Sequence, residues 1–338
     1  MISPSSPGLL SAFLFIASFV GTLILTGLLL SLLRHHKIFD VPNARSGHVI
    51  AVPRGGGIGV LSILLLGLSA VNFRNDYTSE IWLIFIVALL LGLLSWLDDI
   101  SKYGLDIRWR LGSHIVAAST ALLLLPDEQL VFQGYLPFII DRIVAAIALL
   151  WFMNLFNFMD GVDGISGVEL GSIGAGFFLL SLFGAIPKEW ELTGLVMIGV
   201  SIGFLYWNWD PAKIFLGDVG SIPIGFLVGF YLLKLTALGF MAPALLLSLY
   251  YTVDATWTLA QRVIRREKFW HAHREHGYQN AVDAGFSDAN VVRKILGLNI
   301  VLIGLAIGAV AWPSAMLLFG LVLTLLFVYY LKQGCNFR

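Results

Sequence analysis

One cysteine in 338 residues, Cys335, excludes an internal disulfide and any dithiol redox chemistry. Charge is nearly as scarce. The 21 Lys and Arg balance 21 Asp and Glu, together 12% of the chain, for a formal net charge of zero. So little polar surface cannot cover a soluble core of this length. No inverted internal repeat, low-complexity tract or soluble appendage longer than residues 261–294 interrupts the pattern, so residues 1–338 read as a single polytopic membrane domain. No nucleic-acid partner is expected.

Hydrophobic residues supply 58% of the chain, at a mean hydropathy of +0.86. They fall into runs of roughly 16 to 26 residues with short polar breaks, and about 20 helical residues span a bilayer. The runs at about 8–33, 56–73, 81–97, 111–126, 136–156, 165–186, 191–209, 220–236, 238–260, 294–312 and 314–332 predict an all-α integral membrane protein with about eleven transmembrane helices. The first run lacks a basic flank and a cleavage pattern and is expected to be a retained span.

Positive charge is distributed unevenly between the breaks. Loops at 34–54, 98–110, 157–164, 210–219 and 261–294, with the C-terminal tail, hold 17 of the 21 Lys and Arg; Arg74, Arg142, Lys188 and Lys234 are the exceptions. The positive-inside rule then places these loops in the cytoplasm, the N-terminus outside and the C-terminus inside.

The same loops carry the acids. Asp98 and Asp99 close an apolar run, about 100° apart around a helix, with Lys102 three residues beyond Asp99. Asn154, Asn157, Asp160 and Asp163 recur every three residues, so neighbours share a face if the stretch is helical. Asp218 stands between Gly217 and Val219-Gly220 at the start of another run, where a ligand can approach closely or the acid can cap the helix. Acids gathered on one side of a membrane are suited to holding a cation.

Basic and polar groups complete the set. The loop containing Arg45 and His48 leads into Pro53-Arg54-Gly55-Gly56-Gly57, where either glycine amides at a helix start meet an anion with the arginines adding charge, or a basic cytoplasmic loop uses its glycines for close helix packing. His271, His273 and His276 fall within six residues, beside Arg262, Arg265 and Arg266. Helical spacing would align His273 with His276 but not His271, and no cysteine is near, which argues against a closed zinc site and for diphosphate contact.

In this order the motifs resemble the polyprenyl-phosphate N-acetylhexosamine-1-phosphate transferases: Pro42-Asn43-Ala44-Arg45-Ser46-Gly47-His48, Asp98-Asp99-Ile100-Ser101-Lys102, Asn157 to Gly164, Phe215 to Ser221, and the histidine stretch. The resemblance covers nearly the whole chain. It implies ten or eleven helices and a cytoplasmic active site in a bacterial inner (plasma) membrane. The implied reaction moves an N-acetylhexosamine-1-phosphate from a UDP-sugar to undecaprenyl phosphate and releases UMP, with Mg²⁺ required and Mn²⁺ as a substitute. By the same resemblance Asp218 is the metal ligand. The resemblance makes Asp98 and Asp99 catalytic, and Asn157, Asp160, Asp163, His271, His273 and His276 substrate-binding. Charge alone adds Lys102 to the catalytic pair and Arg45 and Arg54 to the substrate-binding set, as cations that can neutralise phosphate.

The branch that handles the muramoyl pentapeptide has three adjacent histidines. The spaced histidines here, followed by Tyr278-Gln279, resemble instead the branch initiating O-antigen and related surface polysaccharides. The partners expected are the nucleotide sugar, the lipid phosphate, the bilayer and a second copy in a homodimer. Two rivals are a transporter, with Glu169, Asp254 or Asn208 as mid-membrane polar groups, and a CDP-alcohol phosphotransferase, whose Asp-Gly-x-x-Ala-Arg pattern fails at Asp163-Gly164-Ile165-Ser166-Gly167-Val168.

Overall fold

The computed structural model describes residues 7–42, 50–74, 79–101, 104–125, 130–268 and 273–333. Among them are thirteen helices: α1 Pro7–His35, α2 Gly57–Arg74, α3 Ser79–Ile100, α4 Ile107–Leu123, α5 Phe138–Phe158, α6 Ile165–Leu182, α7 Glu189–Asn208, α8 Asp218–Ala237, α9 Met241–Leu247, α10 Leu249–Ile264, α11 Gly277–Asp283, α12 Asp288–Gly308 and α13 Pro313–Gln333. A two-residue antiparallel pair, β1 Phe39–Asp40 with β2 Val52–Pro53, is the exception to an all-helical chain.

Eight of these helices (α1, α3, α5, α6, α7, α8, α12 and α13) are long and apolar enough to cross a membrane, as an integral membrane protein requires. Each of the eleven expected runs contains helix, but three fall short as single spans. Helix α2 is apolar and shorter, α4 has 17 residues including Arg108 and Arg110, and the run at 238–260 breaks between α9 and α10. At the break the Ser248 hydroxyl donates to the Ala244 and Leu245 carbonyls, offering the backbone an alternative to continued helix.

Helix α8 is the axis. In its most apolar stretch 94% of the residues are buried, against 28% in α1 and 22% in α13, so α8 lies inside the bundle and the other two face lipid. Helices α2, α3, α5 and α9 pack around α8, while α6, α7 and α1 form a second layer, with α12 against α6. The second layer is close because its contacts are small. A Cβ on Gly194 of α7 would lie 2.4 Å from the Gly174 carbonyl of α6, and one on Gly203 2.6 Å from the Phe19 carbonyl of α1. With no hydrophobic drive between helices in lipid, such contact supplies the packing energy.

Candidate active site

The chain reaches α8 from two directions. β2 runs into Arg54, which bridges Phe215 in parallel fashion; the Phe215 amide donates to the Pro53 carbonyl at 2.8 Å. The amides of Gly56 and Gly57 then donate to the carbonyls of Phe215 and Leu216, each at 2.8 Å. Of the two readings of Gly55-Gly56-Gly57, the anion cradle fails, because those N–H groups are consumed by protein carbonyls. The glycines serve proximity instead. A Cβ on Gly57 would sit 2.3 Å from the Cα of Gly220, so no larger residue lets α2 and α8 start side by side.

This docking puts Arg54 over the first turn of α8. Its Nη2 lies 2.7 Å from Asp218 Oδ1 and 2.9 Å from Asp99 Oδ1. Burial opposes the guanidinium charge, but Asp218 and then Asp99 outweigh it and hold Arg54 more firmly protonated than usual. From the other side Arg110, in the first turn of α4, reaches Asp98 Oδ2 at 3.4 Å and Asp218 Oδ2 at 3.5 Å. Asn157, one residue from the end of α5, donates through Nδ2 to Asp218 Oδ1 at 3.1 Å and to Ser221 Oγ at 2.8 Å. Side chains from α4, α5 and the segment after β2 therefore converge on a single carboxylate at the start of α8.

The adjacent acids divide the work. Asp99 accepts the amides of Asp218, at 3.4 Å, and Val219, at 3.0 Å, so an acid on α3 caps the start of α8 and Asp218 is left free of that duty. Asp98 accepts the Leu105 amide and faces Arg110.

The third motif is only partly one cluster. Helix α5 ends at Phe158, so the three-residue spacing does not continue as one face. Asn154 bonds back to the Leu150 carbonyl at 2.7 Å and stays out of the site. Asp160 turns inward and accepts the Ser166 hydroxyl at 2.7 Å, which in turn lies 3.4 Å from the Tyr251 hydroxyl. Burial pushes Asp160 up to about 6, moderated by the Ser166 bond and by Arg54. Asp163 points elsewhere. It accepts the Ala212 amide at 2.7 Å, and its own amide donates to Asp288 at 3.0 Å, so it ties the 209–217 loop and α12 to this turn. Burial raises Asp163 to about 6 as well, against the Ala212 bond, with Asp288 and Asp210 adding to the rise. As placed here, Asp163 is a brace and not part of the Asp218 cluster.

The histidine stretch is a loop, not a helix, from His273 to the start of α11. His273 and His276 still meet, with ring centroids 4.9 Å apart, because the loop folds back on itself. Burial lowers both to about 4, helped at His273 by His276 and Arg262 and at His276 by Lys332, so both are neutral near pH 7. They offer hydrogen bonds, not positive charge. The nearby positive charge is also committed: Arg262 and Arg265 both pair with Glu275 and Glu267. The Tyr278 hydroxyl donates to the Phe158 carbonyl at 2.9 Å, which fastens this loop to the Asn157 end of α5. Arg45, Lys102 and His271 lie outside the described residues.

Among the described residues no group of three or more His, Cys, Asp or Glu side chains is placed to hold a metal by itself. The donors around Asp218 nonetheless suit Mg²⁺. Asp218 offers carboxylate oxygens without thiolate or imidazole, and Mg²⁺ takes one or two carboxylates while water and phosphate oxygens fill the rest. Sequence reasoning had missed Arg110, Ser221 and Ser166. Arg110 had no motif to mark it, since the spacing of twelve residues from Asp98 becomes a contact only when α4 folds back on α3.

The groups counted as possible mid-membrane transport residues are occupied structurally. Glu169 accepts from Asn299 at 2.8 Å, Asn208 accepts the Gly164 amide at 3.0 Å and donates to the Ile214 carbonyl at 2.9 Å, and Asp254 accepts the Gly277 amide at 2.7 Å.

The model of glycosyl transferase family 4 matches residues 81–236, from α3 to the end of α8. That span contains Asp98, Asp99, Arg110, Asn157, Asp160, Asp163 and Asp218, while Arg54 and the histidine loop are brought to it by folding. A Bacillus subtilis (strain 168) protein described as a probable undecaprenyl-phosphate N-acetylglucosaminyl 1-phosphate transferase is 24% identical over 91% of this chain and 88% of its own length. The phospho-N-acetylmuramoyl-pentapeptide-transferase of Rhodopseudomonas palustris (strain BisB18) is 30% identical over 52% of this chain and 58% of its own. That of Campylobacter jejuni (strain 81-176) is 28% identical over the same shares, so the chain matches little more than half of these pentapeptide transferases.

Proposed function

Since the glycosyl transferase family 4 model matches residues 81–236 and the motifs resemble those of the polyprenyl-phosphate hexosamine-1-phosphate transferases, we propose that the chain transfers an N-acetylhexosamine-1-phosphate from a UDP-sugar to undecaprenyl phosphate, releasing UMP. The reading extends to initiation of a lipid-linked, O-antigen-like surface polysaccharide. It is supported above all by one observation: the Asp218 carboxylate lies between Arg54 and Arg110, whose guanidiniums also reach Asp99 and Asp98. Such alternating charge suits a diphosphate brought in with its cation.

In the transfer, an oxygen of the lipid phosphate forms a bond to the sugar-side phosphorus of the donor, and the bond from that phosphorus to the bridging oxygen breaks, so UMP leaves with the bridging oxygen. Phosphoryl transfer needs positioning and charge neutralisation more than covalent help. Arg54 and Arg110 neutralise phosphate oxygens, and Asn157 holds the Asp218 carboxylate in its rotamer. Asp218 would hold Mg²⁺, which would supply further neutralisation of phosphate charge. Asp98 or Asp99 orients the lipid phosphate. Asp98 is the more accessible of the two, its side chain 9% exposed against 2% for Asp99, whose oxygens are both engaged by α8 amides. The neutral His273 and His276 hydrogen-bond the donor diphosphate and Asp160 faces the nucleotide; His271, Arg45 and Lys102 keep the substrate and catalytic roles expected from the sequence.

We read α2, α4 and the α9–α10 pair as completing eleven spans around one membrane domain, with the site cytoplasmic. The convergence of the 36–54, 98–110, 157–164, 209–217 and 261–294 segments at one end supports this, as does their share of the basic residues. Homodimerisation and residence in the bacterial inner membrane belong to the same reading.

The test is nucleotide release by the purified protein with undecaprenyl phosphate, Mg²⁺ and a panel of UDP-N-acetylhexosamines. Lipid-dependent UMP is expected, and the active donor names the sugar. UDP as product would mean transfer of the sugar alone and would overturn the proposal, as would no nucleotide from any donor.

A further inference from the structure

Asp254, fully buried in α10, takes no part in the chemistry just described, yet donors surround it. The Tyr250 hydroxyl lies 3.2 Å from its Oδ2 and the Thr258 hydroxyl 3.4 Å from its Oδ1, both from its own helix. The third donor comes from the histidine loop: the Gly277 amide reaches Oδ1 at 2.7 Å. Gly277 directly follows His276, and a Cβ there would lie 3.0 Å from Asp254 Oδ2, so the loop backbone is pressed against the carboxylate.

The next residue carries the contact onward. Tyr278 is fully buried, its ring stacks on His276 at 5.8 Å and 7°, and its hydroxyl donates to the Phe158 carbonyl beside Asn157. Gly161 leaves room for that hydroxyl, since a Cβ there would fall 2.2 Å from it. One end of the loop is thus gripped by α10 and then by α5, whose Asn157 holds Asp218.

A carboxylate is the group this place requires. Three donors meet two oxygens, and only an acceptor-only side chain satisfies them all; an amide would turn an NH₂ toward at least one donor. We infer that Asp254 is a positioning residue: together with Tyr278 it sets the distance between the His273–His276 pair and the Asn157–Asp218 cluster, so that a donor diphosphate is held from both sides. The kinetic consequence rests on the proposed reaction, while the anchoring of the loop does not.

Asp254→Asn and Tyr278→Phe, made in the full chain and purified, test this. Losing a charge-assisted hydrogen bond should raise the KM for the UDP-sugar about tenfold in Asp254→Asn. The KM for undecaprenyl phosphate should stay within about twofold, since the lipid phosphate meets α3 and α4 instead. Tyr278→Phe keeps the ring stack and should show the same selective rise by a smaller factor, and the double variant should fall short of the product of the two. Equal rises in both KM values, or a loss confined to kcat, would overturn the role. Anchoring is read separately by trypsin cleavage after Arg265, Arg266 or Lys268 in membranes, expected to be about tenfold faster in Asp254→Asn. Unchanged cleavage would sink the anchor. If the unaltered protein turns over no UDP-sugar, the proposed reaction fails while the cleavage rates still decide whether Asp254 holds the loop.

Discussion

Asp218 meets positive charge on two sides and an amide on a third, so its carboxylate is held in one orientation at the start of α8. Asp218→Asn keeps the volume and removes the charge. We expect turnover to vanish in the UMP assay while the purified protein keeps its elution profile; near-normal turnover at saturating Mg²⁺ would refute the ligand assignment. The titrating residues give a second expectation, with opposing signs. His273 and His276, lowered from 6.5 to about 4, let the unfolded chain take up protons first, so stability present above pH 6.5 is lost as the pH falls toward 4. Asp160, raised from 3.8 to about 6, binds its proton first in the folded chain, and its burial cost is relieved as the pH falls from about 6 toward 3.8. Between pH 7.5 and 5, Asp160→Asn should therefore lose more Tm than the unaltered protein and His276→Gln less. Parallel Tm curves for all three would contradict these environments.

The helices assemble by close approach, and glycines show where it matters. Gly57 and Gly220 bring the starts of α2 and α8 into backbone contact, which is also what places Arg54 over Asp218. Gly57→Ala should destabilise by about 1 to 3 kcal/mol through overpacking and lower turnover with it. Gly297 in α12 has nothing within 4 Å of the place its Cβ would occupy, so Gly297→Ala should leave stability unchanged or raise it by about 0.5 to 1 kcal/mol. Thermal unfolding in detergent compares the two, and a shared sign would show that proximity is not what the glycines provide. The α9–α10 break belongs to the same scheme: a straight helix through Ser248 would carry Asp254 along a different line and lose the Gly277 contact.

Across the full chain, charge and span number together imply a sidedness that a single thiol can report. Cys335 is the sole cysteine, in the tail assigned to the cytoplasm. A membrane-impermeant maleimide should label it in inside-out vesicles and not in spheroplasts. The reverse pattern would invert the topology, and with it the face on which the five loops meet.

Much of the architecture was legible because bilayers impose it. Apolar runs must be helical to satisfy their backbone, and every run marked in the sequence contains helix. Alternating runs also assigned the five polar segments to one end, and Arg54, Asp98, Asp99, Asn157 and Asp218 do meet there. The division of labour among like residues was not legible. Whether Asp163 joins Asp218 or braces Ala212, and whether the glycine amides meet a ligand or the Phe215 and Leu216 carbonyls, depend on partners 49 and 159 residues away, and whether the histidines are charged depends on their burial, none of which local spacing encodes. Hydrophobicity is a property of segments, and the amino-acid order alone determines it. Hydrogen-bond partners and burial belong to the packed bundle, and only the tertiary structure decides which carboxylate bears function and which holds the fold.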